Sequence, residues 1–380
     1  MSIRPRIFVL VDALGWQYLK GKEFLSDICF YRTPVRTVLG FSSGAIPAIL
    51  TGTLPQTNGH WNLFYFDPKG SPLRWLKLFN FLPDKLLDNR ITRKLIKEIG
   101  RRILGLGPMF ECYVPVRLLP FFNISERRNI YKPGGLNGIN SIFDNLSQKR
   151  VRFGTYSYHQ HSDDQILALA ESDVRARKYD FYFLYLSELD AFLHEHCQDP
   201  AGVQEKLDWY ALRLRRLYTA ARAAYPEIHF TVFSDHGMTP SCGHYDLAAS
   251  VERLDFSTPR DYLAVYDSTM ARFWFSRPEV RTAITQELEA QTYGRILCRE
   301  ELETLGLWFD DHRYGELIFL MNPGLLIQRN NFNGQWLPVG MHGYHPDDSW
   351  SDAAYLSNEP PPVPVKTITD IYSVMMNGLD

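Results

Sequence analysis

The chain has 380 residues, 45% hydrophobic and 22% charged, with a formal net charge of −2. That length suits one large α/β domain with insertions, or two domains, around a sizeable core. The near-neutral balance excludes a broad electrostatic footprint for a nucleic-acid duplex, and no run reaches the roughly 18 apolar residues of a membrane span.

The opening segment lacks a signal-peptide cleavage pattern, and Asp12 breaks its apolar run. Five cysteines (Cys29, Cys112, Cys197, Cys242 and Cys298) are scattered, odd in number and without a CxxC pair. The expectation is reduced thiols, no disulfide framework, no thiolate zinc site and a cytoplasmic location.

Residues 6–12 form a short apolar run that ends in a carboxylate. They read as a buried parallel strand with Asp12 at its C-terminal end, where ligands gather in open α/β sheets. Residues 38–52 follow with two serines at a turn before an apolar run. This predicts a helix to about Gly52 with Ser42 or Ser43 at or near its N-cap, where the helix dipole favours an alkoxide or an anionic substrate.

Residues 71–130 differ in character, with twelve Lys or Arg against five Asp or Glu. Leu76, Leu82, Leu86, Leu87, Ile91, Leu95, Ile96, Ile99 and Leu104 recur at roughly helical spacing between the basic residues. The pattern predicts a basic amphipathic insertion. It reads first as a helical lid on the main domain, and alternatively as a surface for an anionic, lipid-linked substrate or a membrane.

Strands are expected at 151–156, 180–186 and 229–235, and helices at 141–146, 166–178 and 205–224. This alternation argues for an α/β fold with a mostly parallel sheet covered on both faces. Residues 255–335 alternate more loosely and read as a small α+β subdomain. The predicted organisation is a catalytic core of 1–70, 131–254 and 336–380, an insertion at 71–130 and a subdomain at 255–335.

Three further clusters carry chemistry. Asp190 and His194 are four apart after the second strand, so one helical turn puts them on one face. Asp235 and His236 end the third strand, with Gly237 to turn the chain. His342 stands between glycines in Gly340-Met-His-Gly-Tyr344. Mixed Asp and His donors suit zinc or manganese rather than magnesium. His60, His159, His161, His196 and His345 read as structural or supporting residues.

In this order the motifs resemble the alkaline phosphatase superfamily, and most closely its nucleotide pyrophosphatase/phosphodiesterase branch. The resemblance covers most of the chain and is weak over 71–130. It implies an alkaline-phosphatase-like fold and two divalent metal ions. Asp12, Asp235 and His236, with the nucleophile, would hold one; Asp190, His194 and His342 would hold the other. The family's nucleophile lies nine residues before a Thr-Gly, here Thr51-Gly52, which selects Ser42 over Ser43. Asn62, in Gly59-His-Trp-Asn62, matches an asparagine that holds a phosphoryl oxygen, one position off an ungapped alignment.

Two cations would clamp the attacking and leaving oxygens of an in-line displacement, and the reaction would pass through a phosphoserine-type intermediate on Ser42. Sulfatase activity is disfavoured, because Ser42-Ser-Gly-Ala-Ile46 lacks the x-Pro-x-Arg that formylglycine formation needs. No Arg occurs between Ser42 and Arg74, which favours a diester or pyrophosphate over a monoester. The alternatives are a phosphomonoesterase or mutase of the same superfamily, and a silent binding protein. The expected substrate is a small-molecule, glycan or lipid-linked phosphoester, with 71–130 as the segment that would meet a membrane surface.

Overall fold

The computed structural model describes residues 4–106, 114–332 and 334–379. Phe110, Cys112 and Tyr113, within the basic insertion, lie outside the described residues. Four stretches of chain between 6 and 233 build the parallel part of the main sheet: β1 (Arg6–Val11), β5 (Phe153–Tyr156), β6 (Phe181–Leu186) and β7 (His229–Phe233). β1 pairs in parallel with β6 on one side and β7 on the other, and β5 extends the sheet beyond β6. The strand Ala353–Ser357 joins β7 antiparallel, and β2 (Tyr31–Val35) closes that edge antiparallel to it.

The even apolarity of β1 has a simple cause. Ile7, Val9 and Val11 enter the core on one face of the sheet, while Phe8 and Leu10 enter the core on the other. β6 divides in the same way, with Tyr182, Leu184 and Leu186 on one side and Phe181, Phe183 and Tyr185 on the other. A strand covered on both faces has no polar side to show. Helices Asp163–Arg175 and Pro200–Ala224 cover the first face; α2 (Ser42–Thr51), Ile142–Gln148 and Asp370–Met376 cover the second. Chain order places the short helix α1 (Trp16–Leu19) between β1 and β2.

The α+β subdomain is an antiparallel sheet in the order Tyr262–Tyr266, Met270–Phe275, Leu317–Met321, Gly294–Ile296. Its core takes in Leu39, Phe41 and Trp61 from the segments around the nucleophile helix, so the subdomain buttresses that region. The insertion is carried on a two-stranded ribbon, β3 (Phe64–Phe66) against β4 (Phe122–Ile124). It holds helix Arg90–Arg102 and shorter helical turns. Its buried side chains pack on Leu263, Val265 and Trp274 of the subdomain. Most of the insertion thus packs on the subdomain sheet, whose outward face offers the apolar surface, and only its end at Ile130 enters the main-domain core. Among the described residues, no helix is long and apolar enough to cross a membrane, and Cys29, Cys197, Cys242 and Cys298 are free.

Trp61 ties these layers together. It is fully buried, its indole N–H donates to the Leu39 carbonyl at 2.6 Å, and its ring meets Tyr314 edge-on at 5.7 Å. Trp61→Ala should lower unfolding stability by about 3–5 kcal/mol in urea titration. A loss below about 1 kcal/mol would show that the subdomain does not depend on this contact.

Candidate active site

Three carboxylates stand beyond the C-terminal ends of three adjacent strands. Asp12 directly follows β1, Asp235 lies two residues after β7, and Asp190 is the third residue of helix Glu188–His196 after β6. Neighbouring parallel strands in register deliver their ends to one place, so residues far apart in sequence converge.

They form two groups, each with ligand-capable atoms within 4.8 Å of one another: Asp12, Asp235 and His236, and Asp190, His194 and His342. In the first, His236 Nε2 is 3.4 Å from Asp12 Oδ1 and 3.3 Å from Asp235 Oδ2. In the second, Asp190 Oδ2 is 3.3 Å from His194 Nε2 and its Oδ1 is 3.6 Å from His342 Nε2. The one-turn spacing of Asp190 and His194 thus converges as the sequence suggests. The rings of His236 and His342 stack at 3.8 Å and join the groups.

The histidines are oriented from behind. His194 Nδ1 lies 2.8 Å from the Gly340 carbonyl, and His236 Nδ1 lies 2.9 Å from the Gly237 carbonyl. A carbonyl only accepts, so each Nδ1 donates and a neutral ring keeps its Nε2 lone pair facing the carboxylates. Gly237 is required for this turn, since a Cβ there would lie 2.1 Å from the Trp350 carbonyl oxygen.

Ser42 is the first residue of α2, with Phe41 as the extended N-cap residue. Its Oγ lies 3.0 Å from His236 Nε2. Ser43 instead approaches the Trp61 carbonyl at 3.5 Å. Gly44 admits the same carbonyl, which a Cβ would meet at 2.6 Å. Asn62 is buried, and its amide donates to Asp267 at 3.2 Å. Asp267 is in turn held by the buried Arg272 at 2.9 Å. Asn62 is therefore fixed by the subdomain and does not line the cavity at Ser42.

That cavity has a volume of about 280 Å³ and is lined by Asp12, Phe41, Ser42, Ser43, Ile46, Leu63, Glu126, Ile130, Tyr131, Tyr158, Tyr185, Ser187, Asp190, Ala191, His194, Phe332 and His342. Among the described residues, its lining contains no Lys or Arg. Tyr185 donates its phenol to Asp12, and Tyr131 stacks on Tyr185 at 5.3 Å. Burial raises the Glu126 carboxyl to about 7. Glu126, Tyr131, Tyr158, Tyr185 and Phe332 carry no motif; they come from separate segments that only the fold assembles. Among the other histidines, His345 pairs with Glu301 at 3.2 Å, and burial followed by Arg313 lowers His60 to about 4.

Electrostatically, the groups ask for cations. Asp12 Oδ1, Asp190 Oδ1 and Asp235 Oδ2 are buried and accept no hydrogen bond. Burial, with Asp235 and Asp190 beside it, raises the Asp12 carboxyl well above its ordinary range. Burial also opposes ionisation of Asp190, but His194 and His342 hold it below the usual carboxylate range. Burial and the neighbouring His236 lower His342. Orphaned buried carboxylate oxygens opposite Nε2 lone pairs fit a divalent cation in each group.

The fold and the arrangement of the site are those of the alkaline phosphatase superfamily. Within it, the chain belongs to the type I phosphodiesterase/nucleotide pyrophosphatase family, whose model matches residues 7–345. None of the curated proteins matches the sequence. Among solved structures, murine ectonucleotide pyrophosphatase/phosphodiesterase 5, as an inactive threonine-to-alanine variant in complex with AMP, is similar with a TM-score of 0.69. Identity is 17%, over 99% of this chain and 95% of that one. The human protein of the same name is similar at 14% identity and a TM-score of 0.67, over 99% and 95%. Phosphonoacetate hydrolase from Sinorhizobium meliloti, in complex with phosphonoacetate, is similar at 14% identity and a TM-score of 0.67, over 100% and 96%.

One consequence is open to test without substrate. A carboxyl whose folded value is raised above its unfolded value weakens the fold at any pH above the unfolded value. In chelator at neutral pH, Asp12→Asn should therefore raise the thermal midpoint. A fall would mean that the Tyr185 hydrogen bond outweighs the buried charge.

Proposed function

We propose that the protein is a two-metal phosphodiester or pyrophosphate hydrolase that works through a phosphoserine-type intermediate on Ser42. The observation that carries this reading is Ser42 Oγ at the start of α2, 3.0 Å from His236 Nε2, in a cavity that Ser42 lines together with Asp12, Asp190, His194 and His342. Asp12, Asp235 and His236, with Ser42, would hold one divalent cation, and Asp190, His194 and His342 the other. Zinc suits this donor set first and manganese second. When bound, such a pair lowers the pKa of an attacking hydroxyl and neutralises charge on the phosphoryl oxygens.

Ser42 Oγ attacks phosphorus in line, the bond to the leaving oxygen breaks, and that oxygen takes a proton. Water then attacks the phosphoserine, its P–O bond to Ser42 breaks, and the serine regains its proton. Ser42 stands at the positive end of the α2 dipole, which favours the developing negative charge.

The cavity lining supports a diester over a monoester. A monoester carries close to two negative charges at neutral pH, and among the described residues the lining supplies no Lys or Arg to meet the second. Glu126 faces the same space and adds like-charge repulsion whenever it ionises.

Hydrolysis of bis-p-nitrophenyl phosphate against p-nitrophenyl phosphate, with zinc or manganese, tests this. The diester should be the better substrate, and Ser42→Ala should lower kcat by about 10³-fold or more with the fold intact. A preference for the monoester would move the protein to the phosphatase or mutase branch. Full activity in Ser42→Ala would remove the covalent step.

A further inference from the structure

Leu78, Phe81, Leu86, Ile91, Leu95 and Ile103 are between 58% and 81% exposed, and all lie in one stretch of the insertion. Helix Arg90–Arg102 buries Ile96 and Gly100, while Ile91 and Leu95, one turn apart, stand in solvent. An insertion that needed only to cover the subdomain would carry polar residues there.

The same stretch is basic. Residues 74–102 hold nine Lys or Arg and three Asp or Glu. Each of the three acids is engaged within the insertion: Asp84 with Arg117, Asp88 with Arg93 at 2.7 Å, and Glu98 with Arg102 at 2.8 Å. Arg74, Lys77, Lys85, Arg90, Lys94 and Arg101 are exposed. Large apolar side chains among cations match an anionic bilayer, where rings and aliphatic chains enter the interface and Lys and Arg meet headgroups. A second copy of this chain docked on the same face would set these like charges against each other. A nucleic-acid strand would leave the aliphatic side chains unburied.

We propose that the solvent face of 78–103 docks on an anionic lipid bilayer. The insertion springs from β3 and β4, and the residues just outside that ribbon, Leu63 and Glu126, line the cavity at Ser42. Docking therefore holds the cavity beside the membrane surface and favours phosphodiesters borne on lipids. Only this last point rests on the hydrolytic reading above.

The test is co-sedimentation of the full chain with phosphatidylcholine vesicles and with vesicles that also contain phosphatidylglycerol, at low and high salt. Binding should need the anionic lipid and weaken with salt. Lys85→Gln with Lys94→Gln should weaken it about tenfold or more, and Phe81→Gln with Leu95→Gln by about tenfold. Hydrolysis of soluble bis-p-nitrophenyl phosphate should remain unchanged in both pairs. Equal binding to both vesicles, no binding, or a dimer in solution that either pair dissociates would overturn the proposal. Docking that persists in a chain without diesterase activity would count against the hydrolytic reading alone.

Discussion

The structure turns on three carboxylates, Asp12 and Asp235 buried and Asp190 half-buried, that share one small volume without enough hydrogen-bond donors. Asp12, Asp190 and Asp235 arrive at the ends of three neighbouring parallel strands, and each leaves one buried oxygen without a hydrogen bond. Such a cluster opposes folding, because like charges in a desolvated space repel. Histidines relieve it only in part. His194 and His236 are pinned through Nδ1 to backbone carbonyls, which directs Nε2 inward as an electron-pair donor. The donor geometry and the excess negative charge both support the cations proposed for this site.

The rest of the molecule serves that cluster. The two-faced core fixes β1, β6 and β7 rigidly enough to hold the carboxylates together. The subdomain core reaches under Phe41 and Trp61, and so sets the start of α2 and the position of Ser42. Through Asp267 and Arg272 it also fixes Asn62. That buried pair therefore acts on Asn62 and not on the cavity wall.

Much of this was legible in the sequence, and the legible part has a physical reason. β1 and β6 read as strands because burial on both faces demands unbroken apolarity. Asp190 and His194 read as a pair because helical spacing is local. Thr51-Gly52 closes α2 where the family resemblance places it, with Gly52 in the left-handed conformation at φ 69°. What could not be read depends on contacts between distant segments. Ala353–Ser357 is short and fully buried, with no alternation to mark it, yet it sits inside the sheet. Tyr185 looks like any strand aromatic until its phenol meets Asp12. Glu126 gains its character only from the walls around it, and the packing of 71–130 on the subdomain follows from a sheet face that no local pattern announces.

Anomalous diffraction at the zinc edge, from crystals of the intact chain equilibrated with zinc, tests the central claim most directly. Two peaks are predicted, one bounded by Asp12, Asp235 and His236 and the other by Asp190, His194 and His342, with donor atoms at roughly 2.0–2.2 Å. A single peak, or ions bound outside these groups, would contradict the two-metal account.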